Sequence, residues 1–230
     1  MKSQIKIGSI LSYLQMAINV IIQLVYTPIM IRLLGQNEYG LYNTVASTIS
    51  MLSILSLGFN SGYIRYYAIY KKNNDKESIC KLNGLFLIIF LIIGFIGFLC
   101  GLFLSFHLDL VFDQGLTAEE YAKARIMMLL LTVNLAFSFP MSVFQNIISA
   151  HENFIVLKLL GMIRTVFGPL ITLPLLLLGY RSIAMVAVTV SVTLFVDVMY
   201  FIYVIFKMKE KFLFHDFERG IFRSLFAYTV

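Results

Sequence analysis

The chain has 230 residues, 60% of them hydrophobic and 13% charged, with a net charge of +6. Soluble domains carry about 25% charged residues, so there are too few charges to coat a water-soluble core, and lipid takes the place of water as the main solvent. The basic excess lies in short loops beside apolar runs, the pattern of membrane topology, which excludes the basic face of a nucleic-acid-binding protein.

Six stretches are apolar over the roughly 20 residues that a helix needs to cross hydrocarbon with its backbone groups satisfied. They are 10–34, 41–66, 85–106, 126–148, 155–178 and 183–206, and the short links between them make neighbours antiparallel. The fold class is therefore an all-α polytopic membrane protein, with residues 1–206 forming a six-helix lobe. The first span is too long for a signal peptide, lacks a small-residue cleavage site and is retained. On it, Ser12, Gln15, Asn19, Gln23 and Tyr26 recur at helical spacing on one face.

In the second span Asn43, Ser47 and Ser50 form one row and Ser53, Ser56 and Asn60 the next. The third span holds no polar side chain from Gly84 to Leu104 except Cys100, and reads as a peripheral helix among lipid and apolar protein. The fourth carries Asn134, Ser138, Ser142, Gln145 and Ser149, with Pro140 among them. The fifth contains Gly168-Pro169 and Pro174, which remove backbone hydrogen bonds and predict a bend or break serving either gating or packing. The sixth carries Thr189, Thr193, Asp197 and Tyr200. Residues 207–230 begin as a basic, aromatic interfacial segment and end in Leu225, Phe226, Ala227 and Tyr228, the expected first turns of a truncated seventh helix.

Polar residues at bilayer depth face either a neighbouring helix or a wet cavity, and four such stripes on separate helices favour the cavity. Arg164 and Asp197 fall at equal depth on adjacent antiparallel spans. They form either a neutralising ion pair or an anion or proton-coupled site. Arg32 and Arg65, near the ends of the first and second spans, reach either phosphate or lipid headgroups. Short loops rich in Lys and Arg stay cytoplasmic. Lys2, Lys6, Arg65, Lys71, Lys72, Lys76, Lys81, Lys158, Lys207, Lys209, Lys211, Arg219 and Arg223 then lie inside, and Arg32, Lys123, Arg125 and Arg181 outside. Both ends of the six-span unit are cytoplasmic in this reading.

Enzymatic signatures are missing. His107, His151 and His215 stand apart without ligand spacing, and His151-Glu152 lacks a second histidine because position 155 is Ile. No CxxC, phosphate-binding glycine loop or nucleophile elbow occurs, so no cofactor, metal or catalytic residue is expected. Cys80 and Cys100, in a basic loop and an apolar run, do not suit a disulfide.

Tyr26-Thr27-Pro28, Arg32-Leu33-Leu34-Gly35 and Glu38-Tyr39-Gly40-Leu41-Tyr42, followed by Leu57-Gly58-Phe59 and Ile64-Arg65-Tyr66-Tyr67, resemble the first hairpin of polysaccharide flippases. These belong to the multidrug, oligosaccharidyl-lipid and polysaccharide exporter superfamily. The resemblance covers the chain as the N-terminal half of a longer protein. It implies a two-lobe fold around a cationic cavity, a bacterial inner-membrane location, and a carrier of undecaprenyl-pyrophosphate-linked oligosaccharide. Implied partners are that lipid-linked oligosaccharide, membrane lipids, polysaccharide-assembly proteins, and a second lobe or second copy for alternating access. The candidate substrate-binding residues are Arg32, Arg65, Asn19, Gln23, Gln15, Ser47, Asn60, Asn134 and Gln145. Two other readings remain: a multidrug exporter driven by cation antiport through Asp197, and a non-transporting membrane scaffold.

Overall fold

A computed structural model describes the backbone of residues 2–56, 59–112 and 116–215, with side chains described from Ile7 onward. The expected seventh-helix start and the basic residues Arg219 and Arg223 lie outside the described residues, as does Gly58.

Among the described residues there are seven α-helices: α1 (Lys2–Leu34), α2 (Gln36–Met51), α3 (Phe59–Lys72), α4 (Lys76–Phe106), α5 (Ala118–Ala150), α6 (Phe154–Leu177) and α7 (Ser182–Ile202). A π-helical turn, Tyr203–Met208, continues α7. Six helical stretches among the described residues are long and apolar enough to cross a bilayer, and the chain is a multi-pass membrane protein. Among the described residues there are no strands.

The expected span 41–66 falls within one stretch long and apolar enough to cross a bilayer, Gln36–Lys72, but its winding is not uniform: α2 ends at Met51 and passes into a 3₁₀ turn over Leu52–Ser56. Serines at 47, 50, 53 and 56 stand three residues apart, and two of them bond carbonyls three residues back. Ser50 Oγ donates to Ser47 O at 2.8 Å and Ser56 Oγ to Ser53 O at 2.9 Å. Such back-bonds compete with the four-residue repeat and favour the tighter winding. No break occurs at Pro169 and Pro174, since α6 is helical from end to end across both prolines. Several helices run past the apolar windows. Asp75 starts α4 by accepting from Ser78 N at 3.0 Å, which holds its carboxyl below the usual range. Thr117 and Glu120 form a capping box at the start of α5.

The core centres on α5, whose Met127, Met128, Phe139, Val143 and Ile147 are buried against α4 and α7. Three glycines of α4 make that approach possible. A methyl at Gly94 would meet the Ala136 carbonyl, one at Gly97 the Phe139 ring, and one at Gly101 the Thr132 side chain. The opposite face of α4 exposes Leu91, Ile92, Phe95, Leu99 and Phe103, as befits a surface solvated by lipid. α1 packs mainly on α6 and, near Gly35, on α2. Gly35 makes the α1–α2 turn at φ 83° and ψ 157°, a conformation open essentially to glycine.

Polar clamps lock both ends of the bundle. At one end Glu38, on α2, accepts from Ser182 N at 3.0 Å, Ser182 Oγ at 2.8 Å and Arg181 Nη1 at 3.0 Å, with Lys123 Nζ 3.7 Å away. This carboxylate neutralises the positive N-terminus of α7 while fastening α2 and α5 to it. At the lysine-rich end, Tyr63 donates to Asn83 Oδ1 at 2.6 Å, and Asn83 Nδ2 donates to Lys211 O at 3.2 Å. His151 Nε2 lies 2.8 Å from Tyr67 Oη and 3.0 Å from Glu210 Oε1. The strap after α7 is thereby bound across α4, where Leu213 N donates to Cys80 O at 3.0 Å.

Candidate functional site

A polar cleft of about 450 Å³ opens between α1 and α6 on one side and α5 and α7 on the other. Gln15, Gln145, Lys158, Arg164, Thr165 and Tyr200 are among its walls. The floor is an ionic network. Asp197 is fully buried and accepts from Ser138 Oγ at 2.8 Å, Gln145 Nε2 at 3.2 Å and Arg164 Nη2 at 2.8 Å. Three helices thus converge on one carboxylate, and a buried carboxylate with three donors meets the requirement that buried charges be paired and hydrogen-bonded.

Arg164 is shared between two environments. One guanidinium nitrogen grips Asp197, while the side chain as a whole remains 41% exposed. Its Nε is buried without a partner. The Arg164–Asp197 pair is neutral, so Lys158 gives the cleft a net positive charge. Gln15 reaches the cleft because α6 presents Gly161 opposite it: a methyl there would lie 2.8 Å from Gln15 Nε2.

From Gln15 the polar stripe of α1 continues outward through Asn19 and Gln23, both exposed. Gln23 Nε2 and Asn19 Oδ1 are 3.5 Å apart. Tyr26, further along, packs against Met30, Leu34, Leu176 and Met185. On α2 and the turn after it, Asn43, Ser47, Ser50 and Ser53 are exposed. These residues lie on stretches long and apolar enough to cross a bilayer, and the described part of the lobe does not cover them.

Other residues singled out from the sequence lie elsewhere. Asn60 is exposed but accepts from Asn146 Nδ2 at 2.8 Å, bridging α3 to α5 as a packing contact. Asn134 is half-buried, with its carbonyl oxygen unpartnered. Arg32 is exposed in the last turn of α1, Arg65 is exposed on α3, and neither lines the cleft. Among the described residues no cluster of His, Cys, Asp or Glu is suited to hold a metal.

Residues 6–230 match the protein family described as polysaccharide biosynthesis protein. The chain belongs to that family. In fold it is similar to a solved structure described as a MOP superfamily transporter from Pyrococcus furiosus, with a TM-score of 0.74 at 15% identity. The likeness covers 96% of this chain and 50% of that one, so the chain spans about half the length of the structure it matches. The description of that transporter states that the reversed polarity of its binding pocket suggests a different function. No curated protein matches the chain. The all-α membrane lobe of this polysaccharide biosynthesis family member therefore has a fold similar to about half of that transporter.

Two features of the lobe escaped the sequence. Glu38 lies within the Leu34–Tyr42 motif, yet its partners are 143 and 144 residues away. The signal available was an acidic residue at a helix start, which normally caps its own helix rather than another. The His151–Glu210 contact joins residues from separate loops and has no local signature.

Proposed function

We propose that the lobe forms half of a flippase that moves a lipid-linked oligosaccharide across the bacterial inner membrane for surface polysaccharide assembly. One observation supports the reading: Asn19, Gln23, Asn43, Ser47 and Ser50 are exposed on α1 and α2, although α1 and the stretch Gln36–Lys72 that contains α2 are long and apolar enough to cross a bilayer. Polar side chains at that depth need a wet cavity or a polar partner surface. A second lobe facing them encloses such a space. The substrate poses a matching problem, since a sugar and pyrophosphate cannot enter hydrocarbon and a polyprenyl tail cannot leave it. The Asn, Gln and Ser rows replace water around the sugar, Arg164 and Lys158 attract the pyrophosphate, and the tail stays in lipid. Switching is rocking of one lobe against the other. The lysine-rich end faces the cytoplasm, following the bias of basic loops.

Cation antiport through Asp197 is disfavoured, because Arg164 already compensates that carboxylate at 2.8 Å. The test is complementation of a strain lacking the intact protein. Gln15→Ala with Asn19→Ala should lower surface polysaccharide and accumulate the lipid-linked precursor at unchanged protein level. Normal polysaccharide from Gln15→Ala/Asn19→Ala and from Arg164→Lys would overturn the reading.

A further inference from the structure

The lysine-rich end holds a second pocket, of about 510 Å³, away from the Arg164 cleft. It lies where α3 ends, α4 begins and the strap after α7 crosses them. Lys71, Lys76, Lys209 and Lys211 line it, with Tyr67 and Ile79 supplying an aromatic and an aliphatic wall. Among the described residues, none of these four lysines has a carboxylate within 4.0 Å, since the six ion pairs formed involve other cations. The acid in the pocket is Glu210, and it is engaged with His151 at 3.0 Å and Asn83 at 3.5 Å. Lys71 Nζ sits 5.5 Å from the centre of the Tyr67 ring, which orders one of the four charges.

The backbone is shaped around this concentration of charge. Lys209 and Asn74, both lining the pocket, adopt positive φ of 55°. Asparagine tolerates that region, but lysine does not favour it. The left-handed turn at Lys209 sets Glu210 inward and half-buried, while Lys209 and Lys211 stay exposed on either side. Strain of this kind persists where the surroundings over-determine it and is concentrated at ligand-binding positions. Four ammonium groups around one hollow, against the single carboxylate of Glu210, are mutually repulsive, and a multivalent anion relieves that repulsion.

We propose that this pocket binds a phosphate-bearing headgroup at the membrane surface, held by Lys71, Lys76, Lys209 and Lys211. Basic pockets between membrane helices suit such groups, and each lysine contributes about a fivefold gain in affinity. Through the strap, occupancy ties α3 and α4 to the segment that follows α7.

Cys80 lines the same pocket and reports on it. In a Cys100→Ser background, the rate at which a water-soluble methanethiosulfonate reagent modifies Cys80 is measured in nanodiscs. Slower modification in phosphatidylglycerol discs than in phosphatidylcholine discs identifies a lipid headgroup. Slowing by inorganic pyrophosphate added to phosphatidylcholine discs identifies a soluble phosphate source. In either case Lys209→Gln/Lys211→Gln should weaken the protection by about 20-fold or more, at about fivefold per lysine. Lys71→Gln/Lys76→Gln, on the opposite wall, should do the same if the strap variant fails to fold. The charge-matched control Lys72→Gln/Lys207→Gln removes two lysines outside the pocket and should leave protection intact. Absence of protection with both probes, or equal loss in the control, overturns the proposal.

Discussion

Arg164 and Asp197 should respond unequally to neutralisation, because one is half-solvated and the other is not. Arg164→Met leaves a fully buried carboxylate with only the neutral donors Ser138 and Gln145. Removing one partner of a buried pair costs about 3–5 kcal/mol. The 41% exposure of Arg164 argues for the lower end, about 3 kcal/mol. Asp197→Asn keeps an acceptor for Ser138 or Gln145, and the exposed guanidinium can recover water, so its cost is about 1 kcal/mol. The double variant restores neutrality and should lie close to Asp197→Asn alone, with a coupling of about 3 kcal/mol. At roughly 2–4 °C per kcal/mol for a chain of this size, Tm should fall by about 6–12 °C for Arg164→Met and about 2–4 °C for Asp197→Asn. Thermal unfolding of the purified protein in nanodiscs, followed by loss of the monodisperse peak, reads all three. Equal losses in the two single variants, with simple additivity in the double, would refute the reasoning.

Two further outcomes follow from the clamps at the ends. Glu38→Gln retains an acceptor for Ser182 N and loses mainly a screened contact with the exposed Arg181, so it should cost about 1 kcal/mol; Glu38→Leu strands the buried Ser182 amide and should cost about 1–3 kcal/mol more, measured by the same unfolding assay. Gly84→Ala places a methyl on the carbonyl of Leu213, so the strap should lift from α4 and hydrogen exchange at residues 209–215 should accelerate while the cores of α5 and α7 stay protected; unchanged exchange in the strap would contradict that packing.

The spans were legible because lipid demands long apolar runs, and residues such as Leu85 to Leu104 leave no other solvent for the chain. Helix ends were less so. Asp75 and the Thr117–Glu120 capping box start α4 and α5 well before the apolar windows, as polar residues that hydropathy ignores. The 3₁₀ turn was hidden because Leu52, Ile54 and Leu55 look like ordinary span residues, and only the three-residue serine spacing marks it. Among the candidate residues, helical spacing put Gln15, Asn19 and Gln23 on one face of α1, but spacing on one helix cannot say which neighbour it meets, and Gln15 alone of the three lines the cleft. Asn60 therefore looked the same as Ser47; both are exposed, but Asn60 is tied to Asn146 across to α5. Likewise equal depth suggested Arg164 beside Asp197, while the further donors Ser138 and Gln145 depended on how α5 turns within the bundle.

The account rests on water reaching the exposed polar face of α1 and α2. Single cysteines at Asn19, Gln23, Ser47, Val20 and Leu24, in a Cys80→Ser/Cys100→Ser background of the intact protein in native membranes, test it by reaction with a membrane-impermeant maleimide, which needs the thiolate and hence water. Positions 19, 23 and 47 should label while 20 and 24 stay unreactive. Uniform protection at all five positions, or labelling without helical periodicity, would contradict a wet cavity.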